Sequence, residues 1–91
     1  MYFTTEKGEV VDFVVKLNFI IDSQIFEVVR FDPAHGGVHK DVLRPDGKKE
    51  YIRLFHYLSF KQGVDLAIND IEEHWEFYIE RFKKWLNEEK K

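Results

Sequence analysis

The sequence predicts a single α+β domain over residues 1–91, in which a four-stranded antiparallel sheet packs one face against a long C-terminal helix. Three observations predict this ββββα meander. Apolar and polar residues alternate with a period of two in the first half of the chain, as in strands. Short segments rich in glycine, proline and polar residues divide that half. In the last third, apolar residues recur every three or four positions, as in a helix.

The first two strands are predicted to form a hairpin. Odd-numbered residues from 11 to 21 are all apolar, so residues 10–21 should form a strand with one face in the core. Asp22-Ser23-Gln24 is a short polar break, and residues 25–32 resume a run that favours strand. Two such runs joined by a short break are typical of an antiparallel pair.

Two shorter strands are predicted next. Pro33 and Gly36-Gly37 end the second strand, because proline donates no backbone hydrogen bond and glycine frees the backbone for a loop. Residues 38–44 are expected to form the third strand, and Pro45-Asp46-Gly47 is a strong turn sequence. Residues 51–58 are expected to form the fourth strand.

The helix is predicted to begin at Ser59. Ser59 and Gln62 fit a capping box, in which each side chain accepts a hydrogen bond from the backbone amide of the other residue. Large apolar side chains then recur at gaps of three and four, which predicts a helix of roughly 28 residues that covers the sheet. Asn69-Asp70 is also a capping sequence, so the sequence leaves the continuity of the helix open. The predicted stripe consists of Val64, Ile68, Ile71, Trp75, Tyr78, Phe82 and Trp85.

The composition excludes several classes of function. The chain has no cysteine, which excludes a disulfide scaffold, a thiolate zinc site and a catalytic thiol. No apolar run approaches the roughly 18 to 20 residues of a membrane span, and the first ten residues lack a signal-peptide pattern. Charged residues make up 34% of the chain, which is typical of heat-tolerant proteins. We therefore expect a cytoplasmic protein that does not bind membranes.

One segment concentrates residues that carry chemistry. Residues 30–53 are locally basic within a chain of net charge −3, and their first part holds the densest group of histidine, arginine and aspartate. Arg30 and Asp32 are two residues apart, so on a strand they share a face, and a loop could bring His35 and His39 close to them. Histidine exchanges protons near neutral pH, a carboxylate fixes its tautomer, and a cation stabilises anionic oxygens.

This set predicts metal-independent cleavage of a phosphodiester, with Arg30, Asp32, His35 and His39 as catalytic residues. One histidine would deprotonate a ribose 2′-hydroxyl, and the other would protonate the departing 5′-oxygen. Lys40 and Arg53 are the predicted substrate-binding cations. The scheme requires no metal and no cofactor.

Two other interpretations of the same residues stay open. Arg30 and Asp32 can form an ordinary cross-strand ion pair while the two histidines are solvated. In the other interpretation, Asp32, His35, His39 and Asp41 bind a metal ion. The segment between His35 and His39 contains Gly-Gly and is not a helix, so their spacing lacks the helical geometry that makes such a pattern informative. Elsewhere, His56 is expected to be a hydrogen-bonded core histidine, and His74 to lie on a solvated helix face.

The order of these residues resembles the small TumE-type toxins of toxin-antitoxin modules. The resemblance lies in Arg30-Phe31-Asp32 at the end of a hairpin, His35 in the loop, His39-Lys40-Asp41 at the next strand and a closing helix. It implies an RNA-targeting toxin that an antitoxin protein silences, with Arg30, Asp32, His35 and His39 at its site. Those toxins carry His-Lys-His where this chain has His39-Lys40-Asp41, which leaves the second proton-transfer group open.

A non-enzymatic interaction module, as a homodimer or a small subunit, is the alternative function. Its basis is a surplus of apolar residues on the helix outside the main stripe, since exposed apolar patches mark association. These residues are Leu66, Phe77, Ile79 and Leu86.

Overall fold

The computed structural model describes residues 1–33, 37–54 and 59–89, and it confirms the α+β class. An antiparallel sheet has the strand order β1-β2-β3-β4-β5, and one long helix follows it. The elements are β1 (Tyr2–Glu6), β2 (Glu9–Ile21), β3 (Gln24–Asp32), β4 (His39–Leu43), β5 (Lys49–Arg53) and α1 (Phe60–Glu89).

The predicted number of four strands is wrong, because β1 adds a strand at the N-terminal edge of the sheet. β1 pairs with β2 through a turn at Lys7 and Gly8, whose φ angles are 52° and 79°. Every residue of β1 is exposed, so its sequence lacks the alternation of apolar and polar residues that identifies a half-buried strand. Lys-Gly is also a weaker turn signal than Asn-Gly, since only glycine tolerates positive φ without strain.

The other predicted turns are confirmed. Asp22 and Ser23 form the two-residue turn between β2 and β3, with φ angles of 50° and 65°. Pro45-Asp46-Gly47 closes the β4–β5 hairpin, where the amide of Gly47 donates to the carbonyl of Arg44 at 3.0 Å. β5 begins two residues before the predicted fourth strand and ends at Arg53. Residues 55–58, and with them His56, lie outside the described residues.

The capping box at Ser59 is confirmed. The amide of Gln62 donates to Ser59 Oγ at 3.1 Å, and the amide of Ser59 donates to Gln62 Oε1 at 2.9 Å. This reciprocal pair satisfies backbone donors that a helix N-terminus leaves free. From there α1 runs without interruption to Glu89, so Asn69-Asp70 does not begin a second helix.

The helix packs on the sheet face that carries Phe13, Val29 and Phe31, all fully buried. Gly63 packs against Val38, just before β4, where an added Cβ would lie 2.7 Å from Val38 Cγ2. Ala67 is also fully buried. Small residues therefore set the contact line.

This contact line departs from the stripe predicted from large side chains. Tyr78 and Phe82 are buried as predicted, whereas Trp75 is 48% exposed. At 100° per residue, Ala67 and Tyr78 lie to one side of Trp75 around the helix, so contact along their side leaves Trp75 at the edge.

The apolar residues outside the stripe are partly accounted for by the core. Leu66 and Ile79 pack against it, whereas Phe77 is 58% exposed. No helix within residues 1–33, 37–54 and 59–89 combines the length and the apolar character needed to cross a membrane.

Candidate functional site

A polar cluster lies on the face of the sheet opposite α1. Antiparallel pairing sets Arg30 opposite Asp41 and Asp32 opposite His39. Directly paired residues project from the same face, so these four side chains share the open face, while the buried Val29 and Phe31 alternate with them on the helix face. The predicted placement of Arg30 and Asp32 on one face is confirmed. We refer to Arg30, Asp32, His39 and Asp41 as the open-face cluster.

An irregularity in β3 adds Glu27 to the same face. The register shifts between Leu17 and Asn18, whose partners on β3 are Val29 and Glu27, so β3 contains one extra residue at Val28. The extra residue reverses which positions point to each face. Glu27 Oε1 consequently lies 3.7 Å from Arg30 Nη1.

Asp32 connects the arginine to the histidine. Its Oδ2 accepts a hydrogen bond from Arg30 Nε at 2.8 Å, and its Oδ1 lies 3.1 Å from His39 Nε2. The hydrogen bond to Asp32 raises the pKa of the Arg30 guanidinium above its ordinary value, so Arg30 stays charged. His39 is 3% exposed and its ring stacks on Tyr51 with 4.6 Å between centroids, which fixes the imidazole plane.

Asp41 is the least satisfied member of the cluster. Its Oδ2 lies 3.6 Å from His39 Nε2 and 3.7 Å from Lys49 Nζ, both beyond hydrogen-bond distance. Its Oδ1 is buried and accepts no hydrogen bond from any residue that the structure describes. The residue is only 5% exposed, so water does not replace the missing donors at most of its surface.

The cluster lies at the bottom of an open depression of about 350 Å³. Its walls include Leu43, Lys49 and Tyr51, and Tyr51 is 43% exposed. Arg53, the predicted substrate-binding cation, is paired with His39 across the strands, so it projects from the same face, and its side chain is exposed.

Lys40 does not join the cluster. Neighbouring residues of a strand point to opposite faces, so Lys40 points to the helix face while His39 points away from it. The geometry therefore does not support the predicted role of Lys40 beside His39. There its Nζ lies 2.6 Å from the hydroxyl of Tyr78 and 5.7 Å from the ring centroid of Phe31. His35 lies outside the described residues, so its predicted meeting with His39 is not described.

Lys40 belongs instead to a second polar cluster beneath the helix, formed with Asp70 and Tyr78. The hydroxyl of Tyr78 donates to Asp70 Oδ2, and Lys40 Nζ lies 3.6 Å from the same oxygen. Burial, followed by the hydrogen bond to Asp70, raises the pKa of Tyr78 well above its ordinary value. His74, half exposed, lies 3.5 Å from Asp70 Oδ1 on the helix, where the sequence predicted a solvated position.

Comparison with known proteins places the chain in a family. A family model described as "Domain of unknown function (DUF7718)" matches residues 1–88. The chain belongs to this family. Searches of curated proteins and of solved structures gave no match.

Sequence reasoning missed three residues at the site of this DUF7718 protein: Glu27, Lys49 and Tyr51. Once the pairing of β4 with β5 is known, alternation places Tyr51 and Lys49 beside Asp41. Glu27 depends on the extra residue in β3, which an alternation pattern does not show.

The arrangement can support two kinds of chemistry. An imidazole beside Asp32 and stacked on an aromatic ring can transfer a proton through Nε2, since its Nδ1 is buried. Arg30 lies close enough to Asp32 to stabilise an anion there. One imidazole with two carboxylates also matches the ligands that divalent transition metals take.

Proposed function

We propose that this protein is a metal-independent ribonuclease that acts in the cytoplasm as the toxin of a toxin-antitoxin module. The observation that carries the proposal is the contact of Arg30, Asp32 and His39 on one open face of the sheet. These are three of the four residues that the resemblance to TumE-type toxins selects, and they come from two strands that the fold pairs.

Each residue has a distinct role in this proposal. His39 transfers the proton, and Asp32 orients the imidazole and stabilises its protonated form. Arg30 is 40% exposed at its side chain, so it can donate to a phosphate oxygen while Nε stays bound to Asp32. His35 remains the proposed second proton-transfer group.

The surroundings of the cluster suit a single-stranded nucleic acid. Lys49 and Arg53 are exposed on the same face, where they can contact phosphates. Tyr51 stacks one ring face on His39 and is 43% exposed, so its surface is accessible to an unpaired base. An antitoxin that covers this face would block all of these contacts at once.

The test is cleavage of a labelled single-stranded RNA in the presence of EDTA. We expect His39→Gln to lower the rate at least about 100-fold, because a proton-transfer residue typically contributes 10²- to 10⁴-fold. His74→Gln is the matched control, since that imidazole also lies beside a carboxylate but on the helix, and it should leave the rate within about twofold. Cleavage that persists in folded His39→Gln, or no cleavage by the unmodified protein, would contradict the proposal.

The toxin role has a separate test in cells. Expression of the protein should arrest growth, and His39→Gln should relieve the arrest. Co-expression of the neighbouring gene product should relieve it in the same way if that product is the antitoxin. Normal growth with the unmodified protein at comparable abundance would argue against a toxin.

The alternative is a non-enzymatic module that self-associates. It is supported by Trp75 and Phe77, two large apolar side chains of α1 that are 48% and 58% exposed. If a dimer covers these side chains, the protein should sediment as a dimer at micromolar concentration. The Phe77→Ser variant should then sediment as a monomer. A monomer at that concentration would exclude the homodimer.

A further inference from the structure

The buried carboxylate of Asp41 is not explained by the proposed proton transfer. A proton on His39 Nε2 can be donated to Asp32 Oδ1 at 3.1 Å, but Asp41 Oδ2 lies at 3.6 Å, beyond hydrogen-bond distance. The other oxygen of Asp41 is buried without a hydrogen-bond donor among the residues that the structure describes. A buried carboxylate in this condition carries a desolvation cost that a bound cation would offset.

The ligand-atom distances are close to those around a bound metal ion. With metal–ligand bonds of about 2.0 to 2.2 Å and tetrahedral angles, neighbouring ligand atoms lie roughly 3.3 to 3.6 Å apart. His39 Nε2 is 3.1 Å from Asp32 and 3.6 Å from Asp41, and one ligand atom from each of the three residues lies within 4.8 Å of the others. An ion between them would therefore need only side-chain adjustments to contact all three.

The residues around this trio hold it in the orientation that a metal requires. Arg30 binds Oδ2 of Asp32 and leaves Oδ1 directed at His39. The stacking on Tyr51 fixes the imidazole ring. Hydrogen bonds and packing of this kind orient the ligands in metalloproteins and strengthen metal binding. The side chain of Lys49, whose Nζ lies 3.7 Å from Asp41 Oδ2, is 61% exposed. It can therefore rotate out into the solvent when an ion binds.

We infer that Asp32, His39 and Asp41 form a binding site for one divalent transition metal ion, Zn²⁺ or Mn²⁺. One imidazole nitrogen and two carboxylate oxygens suit these ions better than Mg²⁺ or Ca²⁺, which prefer oxygen ligands alone. Three protein ligands leave a coordination position for water or for a phosphate oxygen. The inference is independent of the proposed ribonuclease: an ion on His39 Nε2 prevents proton transfer at that atom, so the ion-bound form is distinct from the metal-free form that would cleave RNA. Ion binding is therefore measured without RNA, and RNA cleavage is measured in EDTA.

The test is a titration of the protein, first stripped with EDTA and desalted, with Mn²⁺ followed by electron paramagnetic resonance. We expect one Mn²⁺ per chain, displaced by one equivalent of Zn²⁺ and not by equimolar Mg²⁺. Asp41→Asn should weaken binding at least about tenfold, since it removes a ligand charge and keeps the shape. Glu50→Gln, an exposed carboxylate on the same hairpin, and His74→Gln should bind as the unmodified protein does.

A second measurement does not depend on any variant. Bound Mn²⁺ should broaden the backbone amide resonances of residues 32, 39 and 41 in the unmodified protein before those of residues 70 and 74. Absence of saturable binding, broadening centred on Asp70 and His74, or unchanged affinity in folded Asp41→Asn would overturn the site.

Discussion

The two faces of the sheet each hold a carboxylate beside a basic side chain, yet they satisfy it differently. Beneath the helix, Asp70 accepts a hydrogen bond from Tyr78, and Lys40 completes the cluster at hydrogen-bond distance from the tyrosine. On the open face, Asp41 has two ionic neighbours beyond hydrogen-bond distance and one oxygen without a donor among the described residues. Lys40 and Asp41 are consecutive in β4, so a single strand contributes to both.

This difference is our basis for proposing that the Lys40 cluster is structural and that the open-face cluster is functional. A buried polar group whose hydrogen bonds are complete stabilises or specifies the fold, because nothing further can be gained by adding a ligand. A buried charge left without donors lowers stability and is retained where it binds something. The Lys40 cluster fits the first description and the open-face cluster fits the second.

Phe82→Ala should produce the largest loss of stability, because Phe82 is 1% exposed and contacts the rings of Phe19 and Phe26 beneath the helix. We expect the free energy of unfolding to fall by about 3–5 kcal/mol. Urea denaturation measures it. Phe77→Ala on the same helix is the control and should change stability by less than about 0.5 kcal/mol, since Phe77 is 58% exposed. Similar losses from both substitutions would contradict the assignment of the core face.

Lys40→Met and Asp41→Asn compare the two clusters directly. Lys40→Met removes a hydrogen bond and a cation–π contact, so we expect a loss of about 1–2 kcal/mol. Asp41→Asn, measured without metal, should cost less than about 0.5 kcal/mol, because it removes a poorly solvated charge whose partner Lys49 is exposed. Urea denaturation of both variants in EDTA checks this order. A larger loss from Asp41→Asn would show that the open-face cluster is structural.

Tyr78→Phe should have a smaller effect than Lys40→Met, and one that changes with pH. The pKa of Tyr78 is raised in the folded protein, so its contribution is present below the unfolded pKa of about 10 and is lost as pH rises. At neutral pH the variant should be less stable by about 1 kcal/mol. Between pH 10 and 11 the unmodified protein should lose up to about 1.4 kcal/mol more than the variant. A difference that stays constant from pH 8 to 11 would exclude the buried hydroxyl as its cause.

Local signals in the sequence predicted most of the fold. The turn at Asp22-Ser23, the Pro45-Asp46-Gly47 turn and the capping box at Ser59 depend on short segments, and the structure contains all three. β1 was missed because its residues are exposed and show no alternation. The exposure of Trp75 was missed because Gly63 and Ala67 set the helix contact, and small residues do not appear in a stripe of large ones.

The sequence predicted only those relations within the site that follow from the alternation of side chains along one strand. The spacing of Arg30 and Asp32 gave their shared face, and the same rule, applied to His39 and Lys40, separates those two. The partners of His39 on the neighbouring strands depend on register, which the hydrophobic pattern of a short polar strand does not fix. Tyr51 therefore became visible as a neighbour of the histidine only in the structure, whereas the metal interpretation of the sequence had already grouped Asp41 with His39.

The extra residue at Val28 divides β3 into two halves, in which even-numbered residues face the helix before it and odd-numbered residues face the helix after it. Before it, the even-numbered Phe26 faces the helix and the odd-numbered Glu27 faces away; after it, Val29 and Phe31 face the helix while Arg30 and Asp32 face away. Deletion of Val28 would join the two halves into one strand in which side chains alternate regularly between the two faces. Glu27, Arg30 and Asp32 would then still face away from the helix, so loss of Val28 would shorten β3 without dispersing the open-face cluster. Loss of Phe31, beyond the extra residue, would instead turn Asp32 toward the helix and away from His39.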